Sequence, residues 1–226
     1  MPLRAIVFDF DGVIANSEPL HCRAFQAVLA SESVALSDED YYARYLGFDD
    51  VGAFTEIAKD RALAWDARHV ATLVARKAIA MEALERQGSV LFPGAADAIR
   101  RAAAALPIAI ASGAIGPEIR RALDREQLTA LFAAIVAAED TLRSKPAPDP
   151  YARAVEMLRA ATGVALAPHE CLAIEDSRWG LASARAAGLK TVAVGQTYDV
   201  DALEADLTIA SIADLDLHRF ASLFTR

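Results

Sequence analysis

Asp9 and Asp11 stand two residues apart at the end of the apolar run Ala5-Ile6-Val7-Phe8, and Gly12 follows them. Paired acids in that position suit two chemistries. They hold a hard divalent cation through oxygen, or they divide the work of a nucleophile and a general acid–base. An Asp-x-Asp by itself is also an ordinary solvated turn or helix cap, so its meaning depends on what the rest of the chain brings to it.

Three further polar sets follow apolar runs. Ile108–Ala111 ends in Ser112-Gly113, a hydroxyl and a pliable backbone suited to cradling a phosphate oxygen. Lys145 is a lone cation in Ser144-Lys145-Pro146-Ala147-Pro148-Asp149, and Glu175-Asp176-Ser177 follows Cys171–Ile174. Singly, these read as a turn, a solvated amine and acids meeting a helix dipole. Together they read differently, because parallel strands deliver their C-terminal ends to one edge of a sheet.

The elements needed for that arrangement are legible. Short apolar runs predict strands at Arg4–Phe8, Pro107–Ala111, Ala133–Ala138, Cys171–Ile174, Thr191–Val194 and Leu207–Ile209. Helical periodicity covers Gly94–Leu106, Pro117–Arg125, Asp149–Ala161, Gly180–Ala187 and Ile212–Leu223 between and after them. This alternation predicts an α/β fold with a doubly wound parallel sheet. Between the first and second strands the pattern is helical throughout, over Glu18–Ser31, Asp38–Tyr45, Val51–Ala64 and Asp66–Gln87, with Ser37 as a helix start and Gly88 as a stop. The expected organisation is a catalytic core from residues 1–15 and 90–226 with an all-helical cap, residues 16–89, inserted after the first strand.

Composition narrows the function classes. The chain has 226 residues, 54% of them hydrophobic, which is ample for a packed core, and a net charge of −8 disfavours nucleic acid or an anionic membrane as partner. Cys22 and Cys171 are far apart and in no ligand spacing, so they read as small core hydrophobes in a reducing compartment. No run approaches the roughly 18 apolar residues of a membrane span. A soluble cytoplasmic protein is expected.

The polar sets fit phosphoryl transfer. A carboxylate attacks phosphorus, Asp11 serves the leaving oxygen as general acid and then as general base, and Lys145, Ser112 and a divalent cation neutralise charge on the transferring oxygens. A metal held by Asp9, Asp176 and a main-chain carbonyl, through oxygen only, is expected to be Mg²⁺.

Asp9-Phe10-Asp11-Gly12-Val13, Ser112-Gly113, Lys145-Pro146 and Glu175-Asp176-Ser177 resemble, in order and spacing, the four motifs of the haloacid dehalogenase superfamily. The resemblance covers nearly the whole chain, and the helical insert is similar to the cap of the subfamily that holds phosphoglycolate phosphatase and β-phosphoglucomutase. It implies an aspartyl-phosphate on Asp9, acid–base work and a backbone metal ligand from Asp11, and a phosphate grip by Ser112, Gly113 and Lys145. It further implies that Asp176 binds Mg²⁺ and that Glu175 binds or supports it. An Asp at position 11 is what the phosphate-ester enzymes of this superfamily carry, unlike its dehalogenases. The substrate implied is a small-molecule phosphate ester.

Substrate choice is expected in the cap, where Asn16, Glu18 and His21 follow the first motif and Lys77 lies late in the insert. Two departures from the mutase pattern favour a phosphatase. The turn Gly47-Phe48-Asp49-Asp50 offers acids, expected to repel a second phosphate, where a mutase would want an Arg. Gly113-Ala114-Ile115 also lacks the hydroxyl and Lys expected after Ser112. A phosphosugar mutase and a non-catalytic binding protein on the same fold are the alternatives.

Overall fold

The computed structural model describes residues 2–46, 48–198 and 202–224. Its backbone falls into two compact units, Met1–Asn16 with Val90–Arg226, and Ser17–Ser89.

In the first unit, β1 (Ala5–Phe8), β2 (Ile108–Ala111), β3 (Phe132–Val136), β4 (Cys171–Glu175), β5 (Lys190–Val194) and β6 (Leu207–Ile209) form one parallel sheet in the order β3-β2-β1-β4-β5-β6. All six expected strands are present. β1 lies between β2 and β4, with Ile6 in register with both Ile108 and Leu172. The chain reverses its order at this point, and open α/β sheets bind their ligands outside the strand ends at such a reversal.

Alternation along the strands explains the layering. Ile6, Phe8, Ile108, Ile110, Leu172, Ile174, Val192 and Val194 put large side chains on one face, in one core with residues from helices over Ala95–Ala105 and Gly116–Arg125. The opposite face carries Ala5, Val7, Ala109, Ala111 and Ala173, small enough for the helix Asp149–Thr162 to pack closely through Tyr151, Ala154, Val155 and Leu158. The helix Arg178–Ala186 follows β4.

The C-terminal segment departs from expectation. A single helix over Ile212–Leu223 is replaced by a 3₁₀ turn at Ile212–Asp214, a short helix at Leu217–Ala221 and another 3₁₀ turn at Ser222–Phe224. Local side-chain bonds interrupt it. Asp214 accepts from the backbone of Ser211, and Asp216 accepts from the N–H groups of His218 and Arg219, starting a new helix.

The Ser17–Ser89 unit is helical, with Glu18–Ser31, Asp38–Asp40, Asp50–Asp60 and Ala67–Glu85 around a core that includes Phe25, Leu29, Tyr45, Phe54, Ile57 and Leu73. Ser37, Asp49 and Asp66 each cap a helix by accepting a backbone N–H. The helix expected over Asp38–Tyr45 changes to a π turn at Tyr41–Tyr45, where two buried tyrosines four residues apart are anchored to Glu18 and Asp60. Cys22 and Cys171 are buried and unpaired, and among the described residues no helix is long and apolar enough to cross a membrane.

Candidate active site

The sheet's C-terminal edge gathers the polar sets. Asp9 follows β1, and its Oδ1 accepts from the Phe10 N–H at 2.7 Å and lies 2.8 Å from the Lys145 ammonium. The turn beyond folds back through bonds from Gly12 N to the Ala15 carbonyl and from Ile14 N to the Phe10 carbonyl, with Asp11 half-buried at its head. Gly12 has φ +76°, and a Cβ there would fall 1.9 Å from Asp176 Oδ2. Only glycine lets the β1 turn and Asp176 approach so closely.

Ser112 is buried at the end of β2, where its hydroxyl oxygen accepts the Ala114 N–H at 3.0 Å, which leaves its proton for a ligand. Gly113 is exposed, with open space around its Cβ position. Lys145 lies on a loop tethered by Ser183, whose hydroxyl donates to the Ala147 carbonyl at 2.5 Å.

Glu175, fully buried, organises the centre. Its Oε1 accepts from Lys145 Nζ at 2.7 Å and from the Tyr151 hydroxyl at 2.8 Å, and its Oε2 accepts from Asp176 N, Ser177 N and Ser177 Oγ. Gly180 makes room for this carboxylate, since a Cβ there would sit 1.7 Å from Oε1. The Lys145 ammonium also lies 5.3 Å from the centre of the Tyr151 ring.

Asp9, Glu175 and Asp176 each present an oxygen within 4.8 Å of the others. Burial, then the Glu175 charge, raise the Asp9 carboxyl well above its ordinary value despite the Lys145 ammonium. Burial and Glu175 likewise push Asp176 up to about 7, against a hydrogen bond from Thr197 and the pull of Lys145. Burial alone would lower Lys145, but the Asp9 and Glu175 carboxylates outweigh it and the amine is held above its usual range. With all three ionised, the carboxylates would exceed the one ammonium by two charges, which a divalent cation would balance. The donor set fits a hard cation.

Two of the residues singled out in the insert, His21 and Lys77, meet inside the helical unit. Lys77, 2% exposed, donates to Asp50 Oδ1 at 2.6 Å, is 2.7 Å from His21 Nδ1, and lies 4.8 Å from the centre of the Phe25 ring. Burial and the Lys77 charge lower His21 to about 4, so its ring is neutral at physiological pH and accepts from the ammonium. Glu18 is hydrogen-bonded by the Tyr41 hydroxyl, and Asn16 is exposed. The expectation of two repelling acids in the Gly47–Asp50 turn needs correction. Asp49 is a helix cap bonded to Gly52 N at 2.7 Å, and the charge of Asp50 is matched by Lys77. Gly47 lies outside the described residues.

Sequence reasoning passed over Tyr151, Ser183, Gln196 and Thr197. Tyr151 reads as one more apolar helix position, and Gln196-Thr197 as an ordinary turn. Extending the strand-end rule to β5 would have found the last two.

The family model of haloacid dehalogenase-like hydrolases matches residues 6–194. Protein CbbY of Rhodobacter capsulatus is 37% identical over 209 residues, covering 88% of each chain. Phosphoglycolate phosphatase of Yersinia pestis is 30% identical over 225 residues, covering 94% of this chain and 91% of the relative. The crystal structure of a variant CbbY from Rhodobacter sphaeroides, in complex with xylulose-(1,5)bisphosphate, superposes with a TM-score of 0.77 at 26% identity and covers 95% of this chain and 96% of that one. The chain belongs to the haloacid dehalogenase-like hydrolases, and among them it is a phosphoric monoester hydrolase.

Proposed function

We propose that the chain is a Mg²⁺-dependent phosphatase that hydrolyses a small phosphorylated metabolite through an aspartyl-phosphate on Asp9. The carrying observation is the buried cluster of Asp9, Glu175 and Asp176 oxygens, within 4.8 Å of one another and doubly ion-paired to Lys145. Asp9, Asp176 and the main-chain carbonyl of Asp11 would hold the cation. When bound, it neutralises charge on the phosphoryl oxygens. Glu175, whose two oxygens already accept five protein hydrogen bonds, supports the site by fixing Lys145 and the Asp176–Ser177 turn.

Asp9 attacks phosphorus while the ester P–O bond breaks, and Asp11 gives a proton to the leaving oxygen. Asp11, now ionised, takes a proton from water as that water attacks the phosphoryl group, and the bond to Asp9 breaks to release inorganic phosphate. Lys145, the Ser112 hydroxyl and the Gly113 backbone hold the transferring oxygens.

Substrate choice is assigned to the helical unit, with Glu18, His21 and Lys77 as its polar groups. Lys77 is matched by Asp50 and His21 is neutral, so beside Glu18 these groups offer no surplus positive charge and suit a hydroxyl-rich leaving group better than an acidic one. A sugar phosphate is therefore favoured, a chemistry shared with the ligand of the CbbY complex. A panel of xylulose 1,5-bisphosphate, hexose phosphates and phosphoglycolate, assayed with Mg²⁺ and with chelator, tests this. The expected result is Mg²⁺-dependent phosphate release, with kcat/KM highest for a sugar ester. Conversion of β-glucose 1-phosphate to the 6-phosphate without phosphate release, or full activity in chelator, would contradict it.

The carboxylate cluster also predicts a pH dependence. The raised Asp9 and Asp176 carboxyls hold protons when folded that the unfolded chain has released, between its carboxylate range of about 4 and, for Asp176, a folded value of about 7. The unfolded state binds fewer protons in that window, so stability of the metal-free protein falls as pH rises through it. Saturating Mg²⁺ should raise Tm by roughly 5–10 °C at pH 8 and by much less at pH 5, as scanning calorimetry would show. Equal shifts at both pH values would refute the coupling.

A further inference from the structure

A fifth strand end also reaches the acidic centre. β5 closes with Val194, and Gly195 leads to Gln196 and Thr197. The Gln196 amide uses its whole hydrogen-bonding capacity on two distant segments. Its Nε2 donates to the carbonyls of Gly12 and Val13, both at 3.1 Å, in the turn that carries Asp11. Its Oε1 accepts from Ser211 Oγ at 3.2 Å and from Ile212 N at 2.8 Å.

Thr197 serves the other side of the same turn. Its hydroxyl, whose single proton can serve either partner, lies beside the Asp176 carboxylate and within donating distance, 3.4 Å, of the Gly12 carbonyl. The position of an added Gly12 Cβ, 1.9 Å from Asp176 Oδ2 and 2.9 Å from Thr197 Oγ1, shows how tightly the three groups meet. Asp176 is adjacent in sequence to the buried Glu175, and like charge pushes the two carboxylates apart. A hydroxyl donor on Asp176 opposes that push without adding charge.

We infer that Gln196 and Thr197 are positioning residues of the catalytic centre: Thr197 aims the Asp176 carboxylate, and Gln196 fixes the turn that presents Asp11. The inference rests on Asp9, Asp11 and Asp176 being the metal-binding and reacting acids of the proposed phosphatase. Partners that orient a ligating carboxylate typically change metal affinity by about 10–100-fold when removed. Gln196 fixes the backbone that carries both the Asp11 carboxyl and its metal-binding carbonyl, so its removal should lower kcat and weaken the metal together.

The test is calorimetric titration of Mg²⁺ alone into the substrate-free protein, for wild type, Thr197→Val and Thr197→Ser. Valine keeps the shape and removes the hydroxyl, while serine keeps the hydroxyl. The expected result is a Mg²⁺ Kd about tenfold weaker in Thr197→Val, restoration to within about threefold by Thr197→Ser, and an ester KM that barely moves in either. Gln196→Ala should weaken Mg²⁺ binding by about tenfold, reduce kcat by about tenfold and speed amide hydrogen exchange at Gly12, Ile14 and Ala15. Equal Mg²⁺ affinity in wild type and Thr197→Val would overturn the inference while leaving the phosphatase assignment standing. Equal losses in the valine and serine variants would also overturn it, since packing rather than the hydroxyl would then be responsible. A wild-type protein that binds no Mg²⁺ would overturn both.

Discussion

Asp9→Asn should lose turnover by several orders of magnitude while keeping its fold. The substitution removes the attacking oxygen and a metal ligand together, and effects of that kind are among the largest single-residue losses in enzymes. Asp9 lies past the end of β1 rather than within its packed run, and it carries a carboxyl raised by burial and by the Glu175 charge. Asparagine removes one of three crowded carboxylates, so Tm measured in chelator at pH 8 should stay within about 3 °C of wild type or rise. Retention of more than about a tenth of wild-type kcat would require a different nucleophile.

Lys145→Met should damage both stability and catalysis. The ammonium is 2.8 Å from Asp9 and 2.7 Å from Glu175, and the three side chains are 12%, 10% and 0% exposed. Breaking a buried pair by removing one partner costs about 3–5 kcal/mol because the other charge is left without compensation. For a chain of this length that corresponds to a Tm roughly 10 °C lower in chelator at pH 8, read by calorimetry. Mg²⁺ should recover part of that loss, because the remaining carboxylates still offer a cation site. Turnover should fall by about 10²–10³-fold, the scale for losing one preorganised charge stabiliser. An unchanged Tm with near-normal kcat would show that Lys145 is a bystander.

The core was largely legible because its inner strands, β1, β2, β4 and β5, are buried on both faces and so appear as short unbroken apolar runs. The strand-end rule then placed Asp9, Ser112, Lys145 and Glu175-Asp176 along one edge. Where side chains compete with the backbone, periodicity misleads. Asp214 and Asp216 break the last helix, and the anchored tyrosines Tyr41 and Tyr45 accompany a π turn. Long-range pairing was also invisible. Nothing in the sequence pairs Lys77, a cap-side substrate residue by position, with Asp50, 27 positions away, or His21, 56 away. Gln196 reads as a turn residue, although its partners lie 183 and 184 positions back in the chain.

The central claim is that a phosphoryl group passes through Asp9. Its most direct test is acid quench of the Asp11→Asn variant within milliseconds of mixing with Mg²⁺ and an activated aryl phosphate, whose leaving group needs no proton. Intact-mass and peptide analysis follow. One added phosphoryl group on the peptide bearing Asp9, accumulating in Asp11→Asn and absent from Asp9→Asn, is the predicted result. The same label in both variants, or product formation by Asp11→Asn with no phosphoenzyme at any time point, would contradict it.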